Sequence, residues 1–254
     1  MQEAEADKQH MTLIGHLYEL RRRLLWSLVV WALAFALAYV YARDIYSLLV
    51  QPLAAAMEGE NRRLIYTGLA EAFVTYVRLA LWVSGMVAAP FILVQTWLFI
   101  VPGLYEKERK LAAGMMACAP VLFALGASFA YFVVMPLAWK FFVGFEITTP
   151  RVGSLPVELE ARVSEYLGFA LGLMMAFGLV FELPIILLSL VRVGLVTPQT
   201  LRKNRRVAIV AAFVVAAVLT PPDVISQIAL AMPIIIFYEL SILLAGMVAP
   251  VHKP

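Results

Sequence analysis

Six apolar runs, separated by polar breaks, organise the chain. They cover about residues 24–41, 73–100, 111–143, 166–191, 207–219 and 224–248. In hydrocarbon every backbone N–H and C=O must be satisfied within the element, so runs of this kind become helices. The pattern predicts an all-α membrane protein of six transmembrane helices, forming one domain over residues 1–254. Before the first run, Leu13, Leu17, Leu20 and Leu24 recur at helical spacing, while His16, Glu19 and Arg23 share the opposite side. That periodicity predicts an amphipathic helix on the membrane surface. A second amphipathic helix is expected around residues 45–53 in the first long connection, 42–71.

Length distinguishes the segments. The 33 residues of the third would reach ~50 Å as a straight helix against a ~30 Å hydrocarbon core. It must therefore tilt, project, or bend near Pro120 or Pro136. The fifth has 13 residues, ~20 Å, too little for an ordinary bilayer. A thin region is expected at the fifth and sixth segments, both short, with the turn Thr220-Pro-Pro-Asp223 beneath the outer surface.

The polar breaks carry the orientation. Thirteen of the twenty lysines and arginines fall in the terminal segments and in the connections after the second and fourth runs. Arg21, Arg22 and Arg23 directly precede the first run. Basic residues stay on the cytoplasmic side, so both termini are placed there. The first 23 residues are too polar for a secretory leader, and none is expected.

Composition agrees. The chain is 63% hydrophobic and 15% charged, with a mean hydropathy of +0.88, against ~25% charged in soluble domains. A net charge of +3, unevenly spread, bears on orientation in the bilayer more than on nucleic acid. Cys118, the one cysteine, lies in an apolar run and is expected to be inert. His10, His16 and His252 lie near the ends, and no zinc, nucleotide or nucleophile motif is present. No cofactor, metal or catalytic residue is therefore expected, and the chain reads as a non-enzyme.

Two features carry chemistry. The break at 99–110 joins the helix-stopping Pro102 and Gly103 to Glu106, Lys107, Glu108, Arg109 and Lys110. It reads either as a solvated basic hairpin or as an acidic contact for a cationic ligand. Glu182 lies ~14 Å from the inner end of the fourth run, near the bilayer centre. A carboxylate there is costly and needs protein or water around it. It reads either as a hydrogen-bonded packing residue or as a polar spot in a cavity. Glu239 lies nearer the inner end, within reach of a shared hydrogen bond with Glu182. The glycines of Gly168-Phe-Ala-Leu-Gly172 are expected to pack closely against a neighbouring helix.

Six motifs in order suggest a family: HLYELRRRL at 16–24, FIVPGLY at 99–105 followed by Glu108 and Arg109, FAYFVVMP at 129–136, MAFG at 175–178, FELP at 181–184, and LTPPDVISQ at 219–227. From about residue 11 to 245 the chain resembles TatC, the multi-spanning subunit of the twin-arginine translocase. The resemblance implies a concave six-helix fold in a bacterial inner membrane. It implies a receptor for twin-arginine signal peptides of folded cargo, working with the single-span subunits TatA and TatB in a multi-copy complex driven by the proton-motive force. It places signal-peptide binding on Glu19, Arg21, Glu108 and Arg109, and partner contact or transport on Glu182, Pro52 and Asp223. Glu106 is an additional acid outside that pattern. The alternative is a proton-coupled small-solute transporter with Glu182 as its proton site, although the internal repeat usual for such proteins is missing.

Overall fold

The computed structural model describes residues 13–57, 64–66, 68–100, 106–146, 160–192, 194–220 and 223–248. These residues form α1 (Leu13–Val40), α2 (Ala42–Ala56), α3 (Glu71–Ile100), α4 (Glu106–Phe129), a π turn (Ala130–Val134), α5 (Met135–Val143), α6 (Val163–Phe181), α7 (Leu183–Arg192), α8 (Pro198–Lys203), α9 (Arg205–Leu219) and α10 (Val224–Val248). Among the described residues five stretches are long and apolar enough to cross a membrane: Leu17–Val40, Glu71–Thr96, Cys118–Val143, Val163–Arg192 and Val224–Met247. The remaining apolar helix, α9, has 15 residues.

Several expectations are corrected. The amphipathic start and the first apolar run form one continuous helix, α1, because no breaker separates them. Of the polar break after Ile100, Glu106–Lys110 already belong to the first turns of α4, while residues 101–105 lie outside the described residues. The sixth helix is not short: α10 has 25 residues and runs through Pro233 unbroken. The fourth run is two helices, α6 and α7, parted at Glu182, two residues before Pro184. The connection after it contains α8, capped by the Thr197 side chain accepting from Thr200 N–H at 3.1 Å. Cys118 faces outward rather than into packing.

The irregularity in the third run lies at the second proline. Pro136 cannot donate to the Phe132 carbonyl and its ring crowds that carbonyl. The helix widens there into the π turn, and Met135 N–H reaches back to Ala130 O. Pro120 leaves α4 unbroken.

Helices in lipid associate by close packing, since tails are as apolar as side chains. Here α4 lies along α6, α1 along α3, and α10 against both α7 and α9. The tightest approach is between α4 and α6. A Cβ on Gly126 would stand 2.4 Å from the Phe177 carbonyl oxygen, and one on Gly178 would stand 2.6 Å from the Phe123 ring. Gly168 and Gly172 have no atom within 4 Å of such a Cβ. The close crossing expected at those two glycines thus occurs at Gly126 and Gly178 instead. Around it Phe129 packs on Phe177 and Phe181, with ring centroids 5.7 and 5.9 Å apart, and Phe181 meets Phe237 at 4.8 Å.

At the other end of these helices the two long connections meet. Ile65 N–H donates to Ala161 O at 3.1 Å, and Val163 N–H to Ile65 O at 3.0 Å. Ser164 Oγ donates to Glu71 at 2.6 Å.

Candidate functional site

Helix α1 carries Glu19 and Arg23 one turn apart, the spacing at which an acid and a following base meet on a helix. Arg23 donates through two nitrogens to Glu19 Oε1, one of them at 3.0 Å, and through Nη1 to Gln95 Oε1 of α3 at 3.0 Å. Sequence spacing explains the first contact. The second requires α3 alongside, and neither Arg23 nor Gln95 was among the expected site residues. Both side chains of the ion pair are about one-fifth exposed, so it is a half-dry contact that remains open to a ligand.

Two cavities flank this triad. One of about 390 Å³ lies between α1 and α3 and is lined by Glu19, Arg22, Arg23, Trp26, Phe91 and Gln95. The other, about 380 Å³, lies along α1 itself and is lined by Tyr18, Arg21, Arg22, Leu25, Trp26 and Val29. Trp26 belongs to both and is 55% exposed. Arg21 is exposed on the α1 side, away from the Glu19 ion pair. The arrangement offers a carboxylate, flanking cations and an exposed indole within two turns of one helix. Glu108 and Arg109 lie on the first turns of α4, and their side chains fall outside the described residues.

Glu182 ends α6. Its N–H donates to Leu179 O at 3.1 Å, and its carbonyl accepts from Ile186 N–H at 3.0 Å. The side chain is 1% exposed, and Oε1 is buried with no hydrogen-bond partner. Glu239 does not share a bond with it. That carboxylate pairs with Arg205 at 2.8 Å, beside the Tyr238 hydroxyl, which donates to Leu201 O at 2.8 Å. These contacts fasten α8 and α9 to α10.

Pro52 and Asp223 have local explanations that the sequence did not reveal. Pro52, buried in α2, has no N–H for the Leu48 carbonyl. The Tyr131 hydroxyl, from the π turn, donates to that carbonyl at 2.7 Å. Tyr166 of α6 donates likewise to Leu49 O. The proline therefore frees the carbonyl on which Tyr131 docks, and Tyr166 adds a separate tie from α6 to α2. Tyr131→Phe should lower stability by about 0.5–1.5 kcal/mol, and by less in a Pro52→Ala background, where the helix regains its own donor. Thermal melts of the two single variants and the double variant check this coupling. Equal losses in both backgrounds would separate the proline from the tyrosine.

Asp223 opens α10. Its Oδ1 accepts from Ser226 N–H at 2.6 Å, satisfying one of the orphan donors of the first turn and placing negative charge at the positive helix end. It is 6% exposed, and Oδ2 and the Ser226 hydroxyl are both buried without partners. Thr220, which ends α9, is buried as well, at 5% exposed.

The chain as a whole is similar to known proteins. Residues 15–233 match the family described as Sec-independent protein translocase protein (TatC). The chain is 42% identical over 233 residues to the TatC of Rickettsia prowazekii, covering 92% of each chain. It is 40% identical over 230 residues to that of Escherichia coli K12, covering 91% of this chain and 86% of the relative. A crystal structure described as the twin arginine translocase receptor TatC superposes with a TM-score of 0.76 at 35% identity, covering 92% of this chain and 99% of that one.

Proposed function

Since the chain belongs to the TatC family of Sec-independent protein translocase proteins, we propose that it is the receptor subunit of a twin-arginine translocase. It binds twin-arginine signal peptides of folded cargo at the cytoplasmic face, assembles with TatA and TatB, and exports the cargo using the proton-motive force. The observation that carries this reading is the half-dry Glu19 carboxylate, held by Arg23, which Gln95 steadies in turn, beside an exposed tryptophan. Arg23 engages Glu19 as an arginine of a peptide would, and both of its contacts fall on Oε1. A guanidinium is a planar fork that matches a carboxylate edge, which a lysine ammonium does not. Glu108 supplies the second carboxylate from α4, and the Trp26 indole offers a face to a cation. Arg21 and Arg109 flank the two acids.

Charge-assisted hydrogen bonds of this kind contribute ~1.5–3 kcal/mol each where water is partly excluded. Glu19→Ala and Glu108→Ala should therefore each weaken binding of a twin-arginine peptide by about tenfold or more. The check is peptide titration against protein in nanodiscs, with a twin-lysine peptide as the comparison. An unaltered affinity in the double variant would remove the receptor assignment. Solute uptake into vesicles separates it from the small-solute transporter.

The same reading places the chain in a bacterial inner membrane with six crossings, both termini cytoplasmic and a concave face. The sixth crossing is α9, whose 15 residues reach ~22 Å. The bilayer is thin beside it, and Asp223 lies below the outer surface. A cysteine at Val224, with Cys118 replaced by alanine, should react slowly with an impermeant thiol reagent added outside. Labelling as fast as at a cysteine replacing Gly153 would contradict this placement.

A further inference from the structure

Arg78 is a charged residue within the α3 span that the receptor reading leaves unused. It lies seven residues into α3, ~10 Å along the axis, inside the stretch Glu71–Thr96 that is apolar enough to cross a membrane. Its side chain is exposed, and it makes no ion pair or hydrogen bond among the described residues. A guanidinium at that depth must reach water or an anion, and its long stem lets it extend toward the interface.

A groove receives it. The cavity between α3 and α6 has a volume of about 230 Å³, and Thr75, Arg78, Trp82, Ser164, Gly168 and Leu171 contribute to its walls. Its polar groups gather at the end near the start of both helices, and its apolar wall continues toward the membrane centre. Gly168 leaves the trough open, since nothing stands within 4 Å of where its Cβ would be. The surrounding charges are few. Glu71, two turns back on α3, accepts from the Ser164 hydroxyl at 2.6 Å. On α6, Glu165 faces Arg162 at 3.5 Å. The groove itself thus presents one cation above an apolar channel.

We propose that this groove binds one glycerophospholipid, with its phosphate on the Arg78 guanidinium and an acyl chain lying in the trough over Gly168 and beside Trp82. The match is one of charge and of polarity along the groove: a single anion at the interface, then hydrocarbon. The leaflet, the outer one, follows from the orientation proposed above. The site itself depends only on α3 and α6, so its failure and that of the orientation are distinguishable.

The test uses the full chain in nanodiscs containing a trace of phosphatidylglycerol with a photoreactive acyl chain. Crosslinked peptides are mapped, and retained lipid is counted by native mass spectrometry. Labelling should concentrate on α3 and α6. Arg78→Gln should lower labelling and retained lipid by about tenfold, the scale of one charge-assisted hydrogen bond. Arg78→Lys should keep most of both, and Gly168→Leu should lower both by filling the trough. A phosphate-free diacylglycerol probe should label the groove weakly, and soluble glycerol phosphate should not displace the lipid. Unchanged labelling in Arg78→Gln, equal labelling by diacylglycerol, or displacement by glycerol phosphate alone would each overturn the proposal. Both altered positions face out of the bundle, and a melt matching the unaltered chain establishes folding. If Gly168→Leu fails that check, the Arg78 variants decide alone.

Discussion

Glu182→Leu should yield a chain at least as stable as the natural one that no longer associates with single-span partner helices. The carboxylate is 1% exposed, and one of its oxygens is buried with no partner. An unsatisfied buried polar group costs ~1–3 kcal/mol, and leucine removes that cost. Melting of the purified variant should therefore be unchanged or raised. A residue kept against its own stability is retained for another reason. On the receptor reading, that reason is contact with TatA or TatB. Glu182→Leu should then abolish both crosslinking from α6 to those subunits in membranes and cargo export, while peptide binding persists. Glu182→Gln, which still hydrogen-bonds, should retain association. Because the side chain is enclosed within the chain, such contact requires it to change rotamer or the helices to part. If Glu182→Leu crosslinks and exports normally, Glu182 is a packing residue.

Gly126→Val should prevent accumulation of folded protein. At this position a Cβ would lie 2.4 Å from the Phe177 carbonyl oxygen and 2.9 Å from the Phe181 ring. The first neighbour is backbone and cannot rotate aside. Overpacking of a close-packed interior costs ~1–3 kcal/mol even where side chains yield, and here α4 and α6 must separate. That separation would also disturb the packing beside Glu182. Gly126→Ala should melt measurably lower than the natural chain, whereas Gly168→Ala and Gly172→Ala should not. Size-exclusion recovery after stepwise heating in detergent checks the series. A Gly126→Ala chain that melts together with Gly172→Ala would show that the helices approach differently in solution.

The apolar runs were enough to locate the membrane helices, because a segment in hydrocarbon satisfies its own backbone and needs no distant partner to be a helix. The short α9 and the amphipathic α2 were legible for the same reason. So was the placing of Glu19 and Arg23 on one side of a helix, since their four-residue spacing is a property of that helix alone.

What lay across helices was not legible. Tyr131 lies 79 residues beyond Pro52 in sequence, yet it supplies the hydrogen bond the proline cannot make. Glycine spacing alone favoured Gly168 and Gly172, but which glycines touch depends on how α4 is rotated against α6, and that rotation is set by the whole interface. Arg23 reaches Gln95 only because α1 lies along α3. Glu239 pairs with Arg205 rather than Glu182 because α9 returns beside α10. Local sequence determined which segments are helical, because that choice is made within about four residues. The tertiary structure decided which polar groups are satisfied and which are left over, because those partners come from helices that sequence proximity does not bring together.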